Sequence, residues 1–158
     1  MKSALVNWKW KLGASVFYVL VCACGLLLAR SSGPPAGRTG DFGETSCTAC
    51  HSGNAINAAG GTLTISGVPS NYTPGQTYPI TVTISKSGQT RWGFELSARI
   101  VSGATQGGTL IASDTANTQI VTQNNIQYIE HTSAGTQVGA GQGVWTFNWK
   151  ACSLVISE

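Results

Sequence analysis

Two hydrophobic regimes divide this chain. Leu12–Ala29 is an uncharged run of 18 residues rich in Leu and Val, preceded by a positive segment with Lys2, Lys9 and Lys11. From Thr62 onward the hydrophobic period is two. Leu63 and Ile65 alternate with threonines, and Ile80, Val82 and Ile84 form one face of a strand whose other face is Thr81, Thr83 and Ser85. The longest alternation spans Arg91 to Val101. Trp92, Phe94, Leu96, Ala98 and Ile100 point one way, and Arg91, Gly93, Glu95, Ser97 and Arg99 the other. Leu110-Ile111, Ile120-Val121 and Ile126 to His131 read as shorter strands, with Asn124-Asn125 turning between the last two. Trp145, Phe147 and Trp149 then alternate with Val144, Thr146, Asn148 and Lys150. About seven or eight short strands, with turns every 8–12 residues or so, predict an all-β antiparallel sandwich.

The first regime is an address. Its length lies where a secretory h-region and a membrane-spanning helix overlap. Ala29-Arg30-Ser31 sets small residues at the positions needed for cleavage before Ser32. Residues 1–31 are therefore a signal peptide or an N-terminal membrane anchor, and either exports the body while the positive end stays inside. Residues 32–44, with Gly33-Pro34-Pro35, Gly37 and Gly40, read as a linker, and residues 45–158 as the domain. The expected location is periplasmic, secreted or at the cell surface, with residues 12–29 as the means of any membrane tethering.

Composition and charge narrow the class. Charged residues are 9 % and Gly numbers 20 of 158, which favours an exported β domain over a helical cytosolic enzyme. The formal charge of +3 is misleading, because Lys2, Lys9, Lys11 and Arg30 lie in the leader. After residue 30, five cationic side chains face six acidic ones, a net charge of −1. A near-neutral body has no electrostatic footprint for nucleic acid. No Ser/His/Asp or paired-carboxylate constellation appears, so no enzymatic activity is expected. Arg91, Glu95 and Arg99 share a strand face, but residues four apart on a strand are about 13 Å apart, and the face reads as solvated.

The candidate chemistry lies between the two regimes, at Cys47-Thr48-Ala49-Cys50-His51. Cys-x-x-Cys-His is the pattern of covalent c-type haem attachment. Two thiols must reach two vinyl groups on one porphyrin edge, and the next side chain must ligate iron through an imidazole nitrogen. Cys22 and Cys24 lie in the leader and Cys152 near the chain end, so no disulfide framework competes. The lone methionine is Met1, which excludes His/Met ligation by the mature domain. His131 is the remaining histidine, so a six-coordinate iron would be held by His51 and His131, with electron transfer as the natural role. Without His131 the iron is five-coordinate or takes water, and small-ligand binding becomes the role. The competing reading is a local Cys47–Cys50 disulfide with His51 incidental. A redox dithiol lacks its strand-then-helix setting, and zinc lacks the spaced histidine pair.

Several strings, taken in order, carry a resemblance: Thr45 to Gly53, Val68-Pro69-x-x-Tyr72-x-Pro74-Gly75-x-x-Tyr78, Arg91-x-Gly93-Phe94-x-Leu96-x-Ala98, Tyr128-x-x-His131-Thr132-Ser133-x-Gly135 and Trp145-x-Phe147-x-Trp149-x-Ala151. From about Gly40 to Ala151 the chain resembles the bacterial reeler-like domain, also called the choice-of-anchor V domain. The resemblance implies an immunoglobulin-like β-sandwich on an exported protein, often tethered to a membrane or cell surface. Cys47, Cys50, His51 and His131 fall where that family carries the same residue types, which implies a haem c held between the two histidines. Related animal reeler domains are extracellular modules, so an interaction or adhesion role without cofactor stands beside it. The partner expected is a redox protein in the first case and a cell-surface partner in the second. The family continues beyond Trp-x-Ala with Pro and a further Gly/aromatic-rich strand, whereas here Cys152 to Glu158 follow. The expectation is a truncated end lacking an edge strand.

Overall fold

The computed structural model describes residues 31–137 and 139–153. The run read as signal or anchor lies outside the described residues, as do residues 154–158 at the other end. Among the described residues no helix is long and apolar enough to cross a membrane.

The chain is all-β. Its strands are β1 (Gly61–Ser66), β2 (Thr77–Lys86), β3 (Glu95–Ser97), β4 (Thr109–Ile111), β5 (Thr118–Gln123), β6 (Ile126–His131) and β7 (Gln142–Lys150). One antiparallel sheet runs β1-β2-β7-β4 and the other β3-β6-β5. Two single 3-10 turns, Cys47–Ala49 and Ala134–Gln137, complete the regular structure of the described residues. Asn124 and Asn125 both adopt positive φ, 52° and 63°, which suits the tight turn between β5 and β6.

Register shows how the period-two pattern is used. Ile80 stands opposite Phe147 and Val82 opposite Trp145, while Leu63 and Ile65 of β1 stand opposite Ile84 and Val82. These apolar side chains share one face, and the threonines and serines take the other. Leu96, Ile129 and Ile120 align in the same way across the three-stranded sheet. The two apolar faces meet, with Trp92, Phe94 and Leu110 added, in one core. The Phe94 ring lies 4.8 Å from that of Trp145 and 6.3 Å from that of Phe147. Trp145 donates its indole N–H to the Gly135 carbonyl at 3.1 Å, so its polar atom is satisfied inside the core.

Two sequence expectations change. The Arg91-to-Val101 alternation sets the faces, but only Glu95–Ser97 joins a ladder. Beyond Phe94, whose carbonyl accepts the His131 N–H at 3.4 Å, the partner strand has ended, and the Trp92 N–H bonds to Thr136 O instead. After Ser97 the chain folds back, with Ile100 N–H on Thr105 O and Gly107 N–H on Ala98 O. The second change concerns residues 32–44, which are packed rather than free-running. Ala36 lies with Ile126 and Tyr128 on the outer face of the three-stranded sheet. Gly33 sits so close to Glu130 that a Cβ there would collide with the carboxylate. An outer face composed of Glu95, Ser97, Tyr128 and Glu130 is thereby covered by a Gly-rich strap.

Candidate functional site

The Cys-x-x-Cys-His motif forms the 3-10 turn at Cys47–Ala49. Ser46 caps it, its Oγ accepting the Thr48 N–H at 3.3 Å. The N–H groups of Cys50 and His51 both reach back to Cys47 O, at 3.2 and 2.9 Å. Three residues per turn bring Cys47 and Cys50 to the same side. Both thiols are free and exposed, as is every residue from Cys47 to Gly60. Partial burial nonetheless raises the Cys47 thiol pKa, and the charges of Glu95 and Cys50 add to the effect. Cys47 is therefore a protonated thiol near neutral pH and a poor thiolate nucleophile.

The stem of this loop is held by charge. Arg99 directs Nη2 at Glu44 Oε1, and the same nitrogen lies 2.6 Å from Tyr128 Oη. Tyr128 donates its own O–H to Glu44, and Thr39 Oγ1 reaches the second Glu44 oxygen at 2.5 Å. The Arg99 guanidinium also stacks on Phe42, 5.2 Å from the ring centre. Both ion-pair side chains are largely buried, 6 % exposed for Arg99 and 14 % for Glu44. Burial alone raises the Glu44 pKa, but hydrogen bonds from Thr39, Tyr128 and Arg99 outweigh it and hold the carboxyl below its ordinary value. Burial first and then the Glu44 carboxylate push Tyr128 up to about 12, against the Arg99 charge, which lowers it. Arg38 adds a second tie, its N–H donating to Glu95 Oε1 at 2.6 Å and its Nη1 to Thr45 Oγ1 at 2.9 Å.

His131 ends β6 and is buried, 8 % exposed. Phe94 presents both polar backbone groups to its Nδ1: the N–H at 3.1 Å and the carbonyl at 3.2 Å. Either neutral tautomer is therefore accommodated, Nδ1 accepting from the N–H or donating to the carbonyl. Burial lowers the His131 pKa, opposed by the Phe94 backbone hydrogen bond, so the ring is neutral at pH 7. Gly93 makes room for the imidazole: a Cβ there would lie 2.6 Å from Cε1. Gly93→Ala is expected to displace the ring. The imidazole NMR resonances should shift and the fold should lose about 1–3 kcal/mol, the usual cost of overpacking. Unchanged His131 resonances in that variant would contradict the contact.

Beside His131, Glu130 faces the opposite side of the sheet, directly across from Glu95. Glu130 is 2 % exposed, and Gln119 Nε2 donates to its Oε1 at 2.7 Å. Its Oε2, the Glu95 Oε2 and the Arg38 Nε are buried without a hydrogen-bond partner among the described residues. Burial, with the Glu95 charge adding to it, pushes Glu130 up to about 7, and Glu95 is raised mainly by burial.

The four residues expected at the site thus fall into two groups. Cys47, Cys50 and His51 share one exposed turn, and His131 is buried at the end of β6. Among the described residues no group of three or more His, Cys, Asp or Glu is assembled in a form able to hold a metal ion. Sequence reasoning missed Glu44, Arg99, Tyr128 and Glu130. Arg99 and Glu95 were read as a solvated face, and the structure covers that face. A signal was present: four glycines at 33, 37, 40 and 43 let a chain hug a sheet, and each has positive φ. No family model, no curated protein and no solved structure matches the chain.

Proposed function

We propose that this chain is an exported, reeler-like immunoglobulin-type sandwich that carries one covalent c-type haem and serves extracytoplasmic electron transfer or haem-ligand binding. The observation that carries the reading is the Cys47–His51 turn: two free exposed thiols on one side of a turn, followed directly by an exposed histidine. That donor set fits a haem c, with Cys47 and Cys50 as thioether attachments and His51 as an iron ligand. When bound, haem supplies reversible one-electron chemistry at iron. His131 is the proposed second ligand. Its neutral ring is the form that ligates metal, and the Phe94 carbonyl is available to take the Nδ1–H of a ligand bonded through Nε2. Two antiparallel sheets sharing one core support the sandwich.

Expression in a periplasm with haem-attachment machinery, followed by intact mass and a pyridine haemochrome spectrum, tests the proposal. Expected is one added haem, lost when Cys47 and Cys50 are both changed to serine. A bare polypeptide mass would overturn it. In the loaded protein His131→Ala is expected to convert a low-spin spectrum to high-spin.

A specific observation favours a second reading, an extracellular interaction module with a Cys47–Cys50 disulfide and no cofactor. On β1 the core-facing Leu63 is 64 % exposed, and Val101 is 86 % exposed. A groove of about 870 Å³ opens beside them, lined by Ile65, Val68, Tyr72, Leu96, Ile100 and Trp149. Exposed apolar surface of this kind is typical of docking sites. The same mass measurement separates the readings, because a disulfide removes two hydrogens and adds no haem.

A further inference from the structure

The strongest feature left unused by the site is the buried group of Arg99, Glu44 and Tyr128. Arg99 lies two residues beyond β3 and Tyr128 lies within β6, so both belong to the body of the domain. Glu44, Phe42 and Thr39 belong to the strap that precedes the Cys47 turn. The strap closes on itself there, with Gly40 N–H on Thr45 O at 3.1 Å and Glu44 N–H on Asp41 O at 2.9 Å. One guanidinium gathers the closure: it meets the Glu44 carboxylate, faces the Phe42 ring and touches the Tyr128 hydroxyl. Only Thr45 and Ser46 separate Glu44 from Cys47.

We infer that Arg99 is the positioning residue of the Cys47–His51 turn, acting through Glu44 and Tyr128 as a charged clamp that fixes the turn against the β3-β6-β5 sheet. The physical argument has two parts. An exposed segment such as residues 47–60 makes few apolar contacts and is drawn from the low-stability end of the structure. A buried ion pair with additional hydrogen bonds is directional, whereas apolar contact is not, so it selects one arrangement of the stem. Thr39 and Tyr128 add one hydrogen bond to each Glu44 oxygen, and Ser97 Oγ takes the Arg99 Nε–H at 3.2 Å. Each Glu44 oxygen is therefore hydrogen-bonded, and substitution of any one of the three donors removes a bond from the clamp.

As far as it concerns haem, this inference rests on the proposed function; as far as it concerns the turn, it does not. Amide hydrogen exchange on the haem-free chain reads the turn directly. Glu44→Gln keeps the shape of the side chain but leaves the Arg99 charge buried and unneutralised. Arg99→Met is the second variant. Either is expected to speed exchange of the Gly40, Ala49, Cys50 and His51 amides by about tenfold or more, while the β2 amides of Ile80 to Ile84 stay at their original rates. Unchanged rates at the turn, or equal acceleration in β2, would overturn the clamp. If Arg99→Met fails to fold, Glu44→Gln decides alone. In protein shown by mass to carry haem, a positional role also shifts the low-spin EPR signals of Glu44→Gln, which loss of stability by itself leaves in place. A protein without haem but with accelerated turn exchange would sink the haem reading and leave the clamp standing.

Discussion

Trp145→Ala is expected to cost about 3–5 kcal/mol, a large part of the stability of a single domain. Trp145 is 1 % exposed and sits between Val82 of β2 and the ring of Phe94. Truncation removes the largest buried side chain at the centre of the core. It also leaves the Gly135 carbonyl without the indole N–H that it accepts. Phe94 would lose the nearer of its two aromatic neighbours, and Phe94 holds His131 through both backbone groups. The damage therefore travels from the core to the proposed ligand. Urea unfolding followed by far-UV circular dichroism checks the magnitude, with Trp145→Phe as the milder comparison. A loss near 0.5 kcal/mol, the size of a surface substitution, would contradict the position assigned to this ring.

Glu130→Gln is expected to stabilise the haem-free protein at alkaline pH. The fold raises the Glu130 pKa from 4.5 to about 7, so the native state favours the protonated carboxyl. Its contribution to stability is fully present below pH 4.5 and is lost as pH rises through about 7. A shift of that size corresponds to about 3 kcal/mol across the window. A glutamine is neutral throughout, can still accept from Gln119, and can donate to the unpartnered Glu95 Oε2. Thermal melts between about pH 5 and 9 should show the wild type losing of the order of 10 °C, with a much flatter profile for Glu130→Gln. Parallel profiles would mean that another group carries the pH dependence. His131 acts in the opposite sense, because its lowered pKa costs stability as pH falls below the ordinary imidazole value of 6.5.

Much of the fold was legible because one face of the larger sheet follows a simple rule. Ile80, Val82, Trp145 and Phe147 alternate with Thr, Val or Asn, and a half-buried strand needs only that alternation. The Asn124-Asn125 turn was legible because few residues other than glycine accept two successive positive φ values. The smaller sheet was harder. Its outer face carries Glu95, Ser97, Tyr128 and Glu130, polar residues that read as solvated in any pattern argument. Tyr128 and Glu130 are buried and Glu95 and Ser97 half-buried because a segment more than 50 residues earlier lies across them, and no local window contains that fact. Arg99 and Glu44 form a buried ion pair across the same separation.

For the Cys47–His51 turn, the sequence by itself placed two thiols and an imidazole within five residues, because covalent spacing on one short turn is a local property. It also determined that His131 is the second histidine available in the body. Tertiary structure alone decided the surroundings of that set: an exposed turn, a stem clamped by Arg99, and a neutral imidazole cradled by Phe94 and given room by Gly93. The physical reason is that burial and charge pairing depend on which distant segments cover a side chain, and the period of a strand reports only which way that side chain points.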